Sequence, residues 1–152
     1  MYKRILFPTD GSRFARTAAT SAVALARACG SEILALSVAR PTYLMPSDES
    51  AMTSDPGFRV DTLMNAADAH VQQVAQAAFA AGVPCNTLTI FSDFPSVEIL
   101  EVAEREQCDL IVMSSHGRRG LRRLLAARET ESVVDGSPVP VLVLPPAAKA
   151  HD

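Results

Sequence analysis

Asp109-Leu110-Ile111-Val112-Met113-Ser114-Ser115-His116-Gly117-Arg118-Arg119-Gly120 is the stretch that decides the fold. Leu110 to Met113 form an apolar run of strand length that breaks into small residues and glycines. An arginine-dotted helical segment follows, and then a second apolar run, Val139-Pro140-Val141-Leu142-Val143-Leu144. A buried strand that ends this way and turns into a helix presents backbone N–H groups to an anion above the sheet. This stretch alone predicts an α/β chain with a phosphate-binding turn.

Outward from it the same alternation recurs. Lys3 to Pro8 is a short apolar strand, and Thr9-Asp10-Gly11-Ser12 is a turn with helix-capping residues. Ala18, Ala22, Leu25, Ala26 and Cys29 fall at helical spacing until Gly30 stops them. Ile33 to Ala39 is a second strand. From Arg40 to Gly57 the text turns to Pro, Ser, Asp, Met and Thr, so residues 41–57 are expected to be a flexible loop, either a lid, an arm or an ordinary connection. Leu63, Ala67, Val71, Val74 and Ala78 mark one face of a long helix ended by Gly82 before Pro84. Asn86 to Phe91 reads as strand, Pro95-Ser96 as the start of a helix with Val97, Leu100 and Ala103 inward, and Thr130 to Asp135 as a last helix before the fifth strand. Short strands apolar on both faces and alternating with helices predict a parallel sheet between helix layers. In such sheets ligands sit above the strand carboxyl ends, where the winding direction reverses.

The 152 residues fit one domain, and 48% hydrophobic composition supplies a core without staples. A formal charge of −3, 5% aromatic residues and no Trp argue against a nucleic-acid partner, which needs a basic face or stacking platform. Arg118, Arg119, Arg122, Arg123 and Arg128 nevertheless give an acidic chain one local positive patch. Cys29, Cys85 and Cys108 are odd in number and show no metal-site spacing, so they read as small buried hydrophobes in a reducing compartment. The run Ile5-Leu6-Phe7 is far shorter than a signal h-region or membrane span. The expectation is a cytoplasmic protein with no membrane partner.

Arg4-Ile5-Leu6-Phe7-Pro8-Thr9-Asp10-Gly11-Ser12, Asp109 to Met113, Ser115-His116-Gly117-Arg118-Arg119-Gly120-Leu121 and Pro138-Val139-Pro140-Val141-Leu142-Val143 together resemble the universal stress protein family. The likeness spans nearly the whole chain and is weakest from Arg40 to Gly57. It implies a single three-layer sandwich of the adenine nucleotide alpha hydrolase-like kind, a five-stranded parallel sheet of order 3-2-1-4-5. It further implies a homodimer through the strand bearing Val139, Val141 and Val143 and, in one subset, ATP binding, here with Mg. That strand order puts the crevice between strands 1 and 4, flanked by Thr9 to Ser12 and Ser114 to Gly120. The nucleotide-binding residues so implied are Pro8, Thr9, Asp10, Val38, Met113, Ser114, His116, Gly117, Arg118, Arg119, Ala127 and Arg128.

The ATP-binding subset carries a Gly, two residues, a Gly, nine residues, then Gly followed by Ser or Thr. The corresponding positions here are Ser114, Gly117, Ala127 and Arg128, of which Gly117 alone matches. Ser114 adds a side chain where the backbone approaches the ligand, and Ala127 restricts the second contact. Glu129 and Glu131 place negative charge near the expected start of the last helix, favouring its dipole but repelling a triphosphate. Arg128 either replaces lost phosphate contacts with a bidentate cation or fills the phosphate position itself.

The resemblance implies that Asp10 accepts from the adenine amino group and that the Val38 backbone reads adenine, whereas the residues alone read as a helix cap beside Ser12 and as core. His116 lacks a Ser, Cys or carboxylate placed by sequence to form a relay, so no catalytic residue is expected and ATP hydrolysis would be slow and incidental. Arg118 and Arg119 stand nearest the glycines, whereas Arg122 and Arg123 read as a solvated helix face. Two functions follow. One is a homodimeric stress-response module that senses ATP or another adenine nucleotide. The other is a nucleotide-independent interaction protein whose phosphate motif, degenerate at Ala127 and Arg128, no longer binds ATP.

Overall fold

The computed structural model describes residues 1–41, 56–115 and 121–145, with backbone alone for 56–58 and 121–127. Strands and helices alternate there as β1 (Arg4–Pro8), α1 (Arg13–Cys29), β2 (Glu32–Ala39), α2 (Pro56–Ala80), β3 (Cys85–Phe91), α3 (Pro95–Arg105), β4 (Leu110–Ser114), α4 (Leu121–Gly136) and β5 (Val141–Leu144). The five strands form one sheet in the order β3-β2-β1-β4-β5, every neighbouring pair parallel. This is the three-layer α/β sandwich that the sequence predicts.

The period-two geometry of a strand sorts the apolar runs into two cores. Ile5 and Phe7 of β1, Ile33 and Ala35 of β2, and Leu110 and Val112 of β4 pack with α1 and α2, through Ala22, Ala26, Val71, Val74 and Ala78. Leu6, Leu34, Leu36, Ile111 and Met113 point the other way, onto Ile99, Val102 and Ala103 of α3 and Val133 of α4. Ile5, Leu6, Phe7, Ile111 and Val112 are fully buried, as strands covered on both faces require. Alanines at five successive contact points of α1, Ala15, Ala18, Ala19, Ala22 and Ala26, bring that helix close to the sheet.

Local signals set most boundaries. The Ser12 hydroxyl accepts the Ala15 N–H at 3.1 Å and caps α1. Gly30 ends α1 in the left-handed conformation, φ +68, with the Ser31 N–H returning to the Ala26 carbonyl at 2.8 Å. Several features differ from expectation. α4 is not confined to 130–135 but runs from Leu121 to Gly136. Leu, Arg, Ala and Glu are strong helix formers, and nothing between Leu121 and Gly136 breaks the run. Glu129 and Glu131 therefore sit in the body of this helix and not near its start. In α3 the inward residues are Ile99, Val102 and Ala103, while Val97 is exposed. Two successive steps of three residues precess roughly 120° around a helix from first to last, so Val97 falls off the buried stripe that holds Ala103. The strand at the sheet's end is also shorter than expected. β5 begins at Val141, and Val139 lies before it in a turn whose N–H and carbonyl both bond to the Ser137 hydroxyl, at 3.1 and 2.7 Å. Of the expected loop 41–57, residues 42–55 lie outside the described residues, and α2 already starts at Pro56.

Asp109 fastens the amino end of the sheet. Its carboxylate accepts the Lys3 N–H at 2.8 Å and the Arg4 N–H at 3.0 Å, while its own N–H donates to the Arg4 carbonyl at 3.0 Å. Arg4 in turn lies 3.2 Å from Glu32 and 3.7 Å from Glu106, and donates to the Glu106 carbonyl at 3.0 Å. Partial burial raises the Asp109 carboxyl, but the Lys3 and Arg4 N–H groups, its own N–H and the chain's terminal ammonium outweigh that and hold it below its ordinary value. Nearby, burial pushes the Cys108 thiol up to about 11, against the pull of Arg4, so it stays protonated and inert at neutral pH. Cys108 is buried as expected, whereas Cys29 and Cys85 are only half-buried.

A carboxyl held below its unfolded value adds stability that is complete above that value and is lost as pH falls through the folded one. Asp109→Asn is expected to lower stability by about 1 kcal/mol near pH 7, the figure for exposed-side hydrogen bonds to an ionised group. Urea midpoints measured at pH 7 and pH 3 are expected to differ less between parent and variant at the lower pH.

Candidate functional site

The winding reversal between β1 and β4 is where the site forms. α1 leaves β1 toward one face of the sheet and α4 leaves β4 toward the other, so the carboxyl ends of these strands open onto a cleft. Its walls are Pro8, Thr9 and Asp10 after β1, Leu36, Val38 and Arg40 along β2, Met113 and Ser114 of β4, Ala15 of α1, Pro95 and Ile99 of α3, and Glu129 and Thr130 of α4. The cleft has a volume of about 130 Å³ and opens to solvent at its mouth.

Six of the sequence-derived site residues, Pro8, Thr9, Asp10, Val38, Met113 and Ser114, meet here from three separate strands. Arg128 does not join them. It is exposed, and α4 turns the next two residues, Glu129 and Thr130, to the cleft instead. His116, Gly117, Arg118, Arg119 and the Ala127 side chain lie outside the described residues.

Most of the first turn is committed to itself. The Thr9 N–H donates to the Leu36 carbonyl at 2.8 Å, the Gly11 N–H to the Thr9 hydroxyl at 3.2 Å, and the Ser12 N–H to Asp10 Oδ1 at 2.9 Å. After β4, the Ser115 N–H is taken by the Leu144 carbonyl at 2.9 Å. The expectation that these turns offer amides to an anion is thus corrected for Thr9, Gly11, Ser12 and Ser115, because the turn and sheet satisfy them first. Asp10 caps nothing itself. It braces Ser12, and Ser12 caps α1.

Backbone groups do face the cleft from β2. The last β1–β2 pair is Pro8 with Leu36, and the Ala39 carbonyl accepts the Ser92 N–H on the β3 side. Backbone groups alternate sides along a strand, so those of Val38 fall on the β1 side, one step past the end of β1.

An ion-paired network unrecognised in the sequence closes the far wall. Arg40 Nη1 lies 3.7 Å from Glu129 Oε1, and Arg40 Nη2 donates to the Asp93 carbonyl at 3.3 Å. Glu129 Oε2 accepts the Ser96 N–H at 2.9 Å in the first turn of α3. The residue preceding that helix, Phe94, contributes no side-chain cap, so Glu129 supplies from α4 the negative group that a helix start favours. Arg40 shares the strand phase of Leu36 and Val38, a two-residue period that identifies it as wall. The sequence marks Glu129 only as a charge near the expected start of the last helix, since the side it faces depends on where α4 starts.

His70 of α2 supports the first turn from behind. Gly11 holds φ +73, and a Cβ built there would collide with the His70 ring, lying 2.7 Å from its Cγ. The same ring faces Ser37 Oγ with Nδ1 at 3.4 Å, and Ser37 is buried between Leu36 and Val38. One imidazole thus braces both the loop carrying Asp10 and the strand carrying Val38.

Among the described residues no cluster of three or more His, Cys, Asp or Glu side chains is placed to hold a metal ion, and no helix is long and apolar enough to cross a membrane. The described walls present apolar surfaces from Pro8, Leu36, Val38, Ile99 and Met113, with two carboxylates and one guanidinium at the rim. That combination suits a flat ring with polar edges.

Comparison with known proteins gives the same picture from another side. The model of the universal stress protein family matches residues 1–145. The universal stress protein MJ0531 of Methanocaldococcus jannaschii is 32% identical over 146 residues, covering 95% of this chain and 82% of that protein. The solved structure of MJ0577 superposes with a TM-score of 0.79 at 28% identity, covering 98% of this chain and 99% of that one. A universal stress protein in complex with cAMP superposes with a TM-score of 0.70 at 20% identity, covering 96% and 99%.

Replacing Gly11 by Ala is expected to destabilise the protein by more than the ~1–2 kcal/mol of a left-handed alanine, because the ring collision adds to it. Adding His70→Ala to Gly11→Ala is expected to relieve the collision and not the backbone strain. The double variant should therefore lose less in urea unfolding than the two single losses summed.

Proposed function

This chain belongs to the universal stress protein family, and we propose that it is a stress-response module that holds an adenine nucleotide in the cleft between β1 and β4. The observation that carries this reading is the convergence of Asp10, Val38 and Met113, distant in sequence, on one apolar cleft at the winding reversal. Adenine would lie against Val38, Ile99 and Met113, with Val38 backbone groups and the Asp10 carboxylate at its polar edges. The phosphates would run toward Gly117, Arg118 and Arg119, since the first turn's amides are already committed. A relative of the same fold crystallised with cAMP supports an adenine ligand. ATP with Mg and smaller adenine nucleotides are the candidates, and the bound form would alter contacts with a partner protein in the cytoplasm.

The dimer belongs to the same proposal. β5 pairs with β4 on one side, and its Leu142 is 41% exposed. An edge strand with an exposed apolar side chain is suited to pair with a second copy through Val141 and Val143. The alternative, in which Arg128 fills the cleft, draws no support from a side chain that is exposed and absent from the walls.

Adenine nucleotides at millimolar concentration are expected to raise the thermal midpoint, as any ligand of the native state does. Asp10→Ala is expected to weaken binding roughly tenfold, the loss of one hydrogen bond to an ionised group. Absence of a shift with ATP, ADP, AMP and adenosine alike would overturn the reading. Sedimentation is expected to give a dimer for the parent and a concentration-dependent shift toward monomer for Leu142→Arg.

A further inference from the structure

Glu129 is an unusual wall for a site that accepts phosphorylated compounds. It is 25% exposed and lines the cleft, and its two oxygens engage Arg40 at 3.7 Å and the Ser96 N–H at 2.9 Å. Arg40, only 14% exposed, directs its guanidinium to Glu129 and to the Asp93 carbonyl. The cation of this wall is therefore offset by a carboxylate of the same chain. With Asp10 included, the charged residues described around the cleft are Asp10, Glu129 and Arg40, a net charge of −1.

We propose that Glu129 is a specificity determinant that grades adenine compounds by charge, offsetting Arg40 so that each added phosphate is less favourable than it would be beside an unopposed guanidinium. This deepens the function proposed above and rests on it. Three features point to the charge of Glu129 and not merely its shape. A neutral amide oxygen also accepts an N–H, so satisfying the Ser96 N–H does not by itself require a carboxylate. The carboxylate takes up both the guanidinium and the helix start, the two features of this wall that would otherwise attract an anion. It also stands in a partly enclosed cleft, where charges are screened less than on an open surface. A ligand phosphate entering the cleft meets a wall whose attraction has been cancelled internally, and the discrimination grows with the number of phosphates.

The test is a ladder of adenosine, AMP, ADP and ATP titrated by calorimetry, without Mg and at low salt, against the parent, Glu129→Gln, Arg40→Gln and the double variant. Removing one negative charge about 8 Å from the ligand in a watery cleft is worth roughly twofold in affinity per ligand charge. Glu129→Gln is therefore expected to leave adenosine within about twofold, strengthen AMP a few fold and strengthen ATP on the order of tenfold, all fading as salt is raised. Arg40→Gln is expected to shift the ladder the other way. The double variant carries the parent's net charge and is expected to restore the parent's ladder.

A purely structural role would weaken all four compounds alike, adenosine included, in each single variant. That result, or an unchanged ATP-to-adenosine ratio in Glu129→Gln with a native thermal midpoint, overturns the proposal while leaving adenine binding intact. Failure of every compound to bind parent and Glu129→Gln alike overturns the adenine reading, and this proposal with it.

Discussion

Everything in this molecule depends on two fully buried strands running side by side and then parting company. β1 and β4 are paired over Ile5 with Leu110 and Leu6 with Ile111, and Asp109 ties them at the amino end through the Lys3 and Arg4 amides. Their side chains point alternately into both cores, so neither strand can shift by one residue without exchanging one core for the other. Beyond the pairing, the chain turns to α1 on one face and to α4 on the other, and among the described residues no connection crosses the gap. The cleft is the geometric remainder of that divergence and needs no dedicated element to create it.

What differs from one such chain to another is how the gap is furnished. Here apolar side chains from β2, β4 and α3 make the inner wall, and a carboxylate from α4 reaches across to finish α3. This interaction joins the end of β2, the start of α3 and the body of α4, since Arg40 also touches Asp93. The same few atoms thus fix the spacing of one helix layer and set the potential inside the cleft. Stability and selectivity are coupled at Glu129, and a substitution there acts on both.

The fold was legible because its signals are redundant. Apolar runs such as Ile5-Leu6-Phe7 and Leu110 to Met113 cannot be surface strands, and Ser12, Gly30 and Gly82 punctuate the helices at their true ends. The errors have a common origin. A step of three from Val97 leaves the buried stripe of α3, and α4 starts nine residues before Thr130 because the arginine-dotted segment is part of the same helix. The side that Glu129 and Thr130 present to the cleft is set by the whole helix from Leu121, which a helix starting at 130 does not show. Val38, Asp10 and Met113 were found from family likeness and strand ends, whereas Arg40 carried a usable strand phase that went unread. His70 had no local signal, since its role is a contact between α2 and a distant turn.

The contact between Gly11 and His70 has a consequence for how this sequence can change. The ring occupies the volume that any side chain at position 11 would need, and that position already has a backbone conformation suited to glycine. A lineage cannot acquire a residue at 11 while retaining the imidazole at 70, nor readily enlarge 70 against a turn already in contact with it. The constraint runs one way across elements far apart in the chain, and a family alignment should display side chains at 11 only beside small residues at 70.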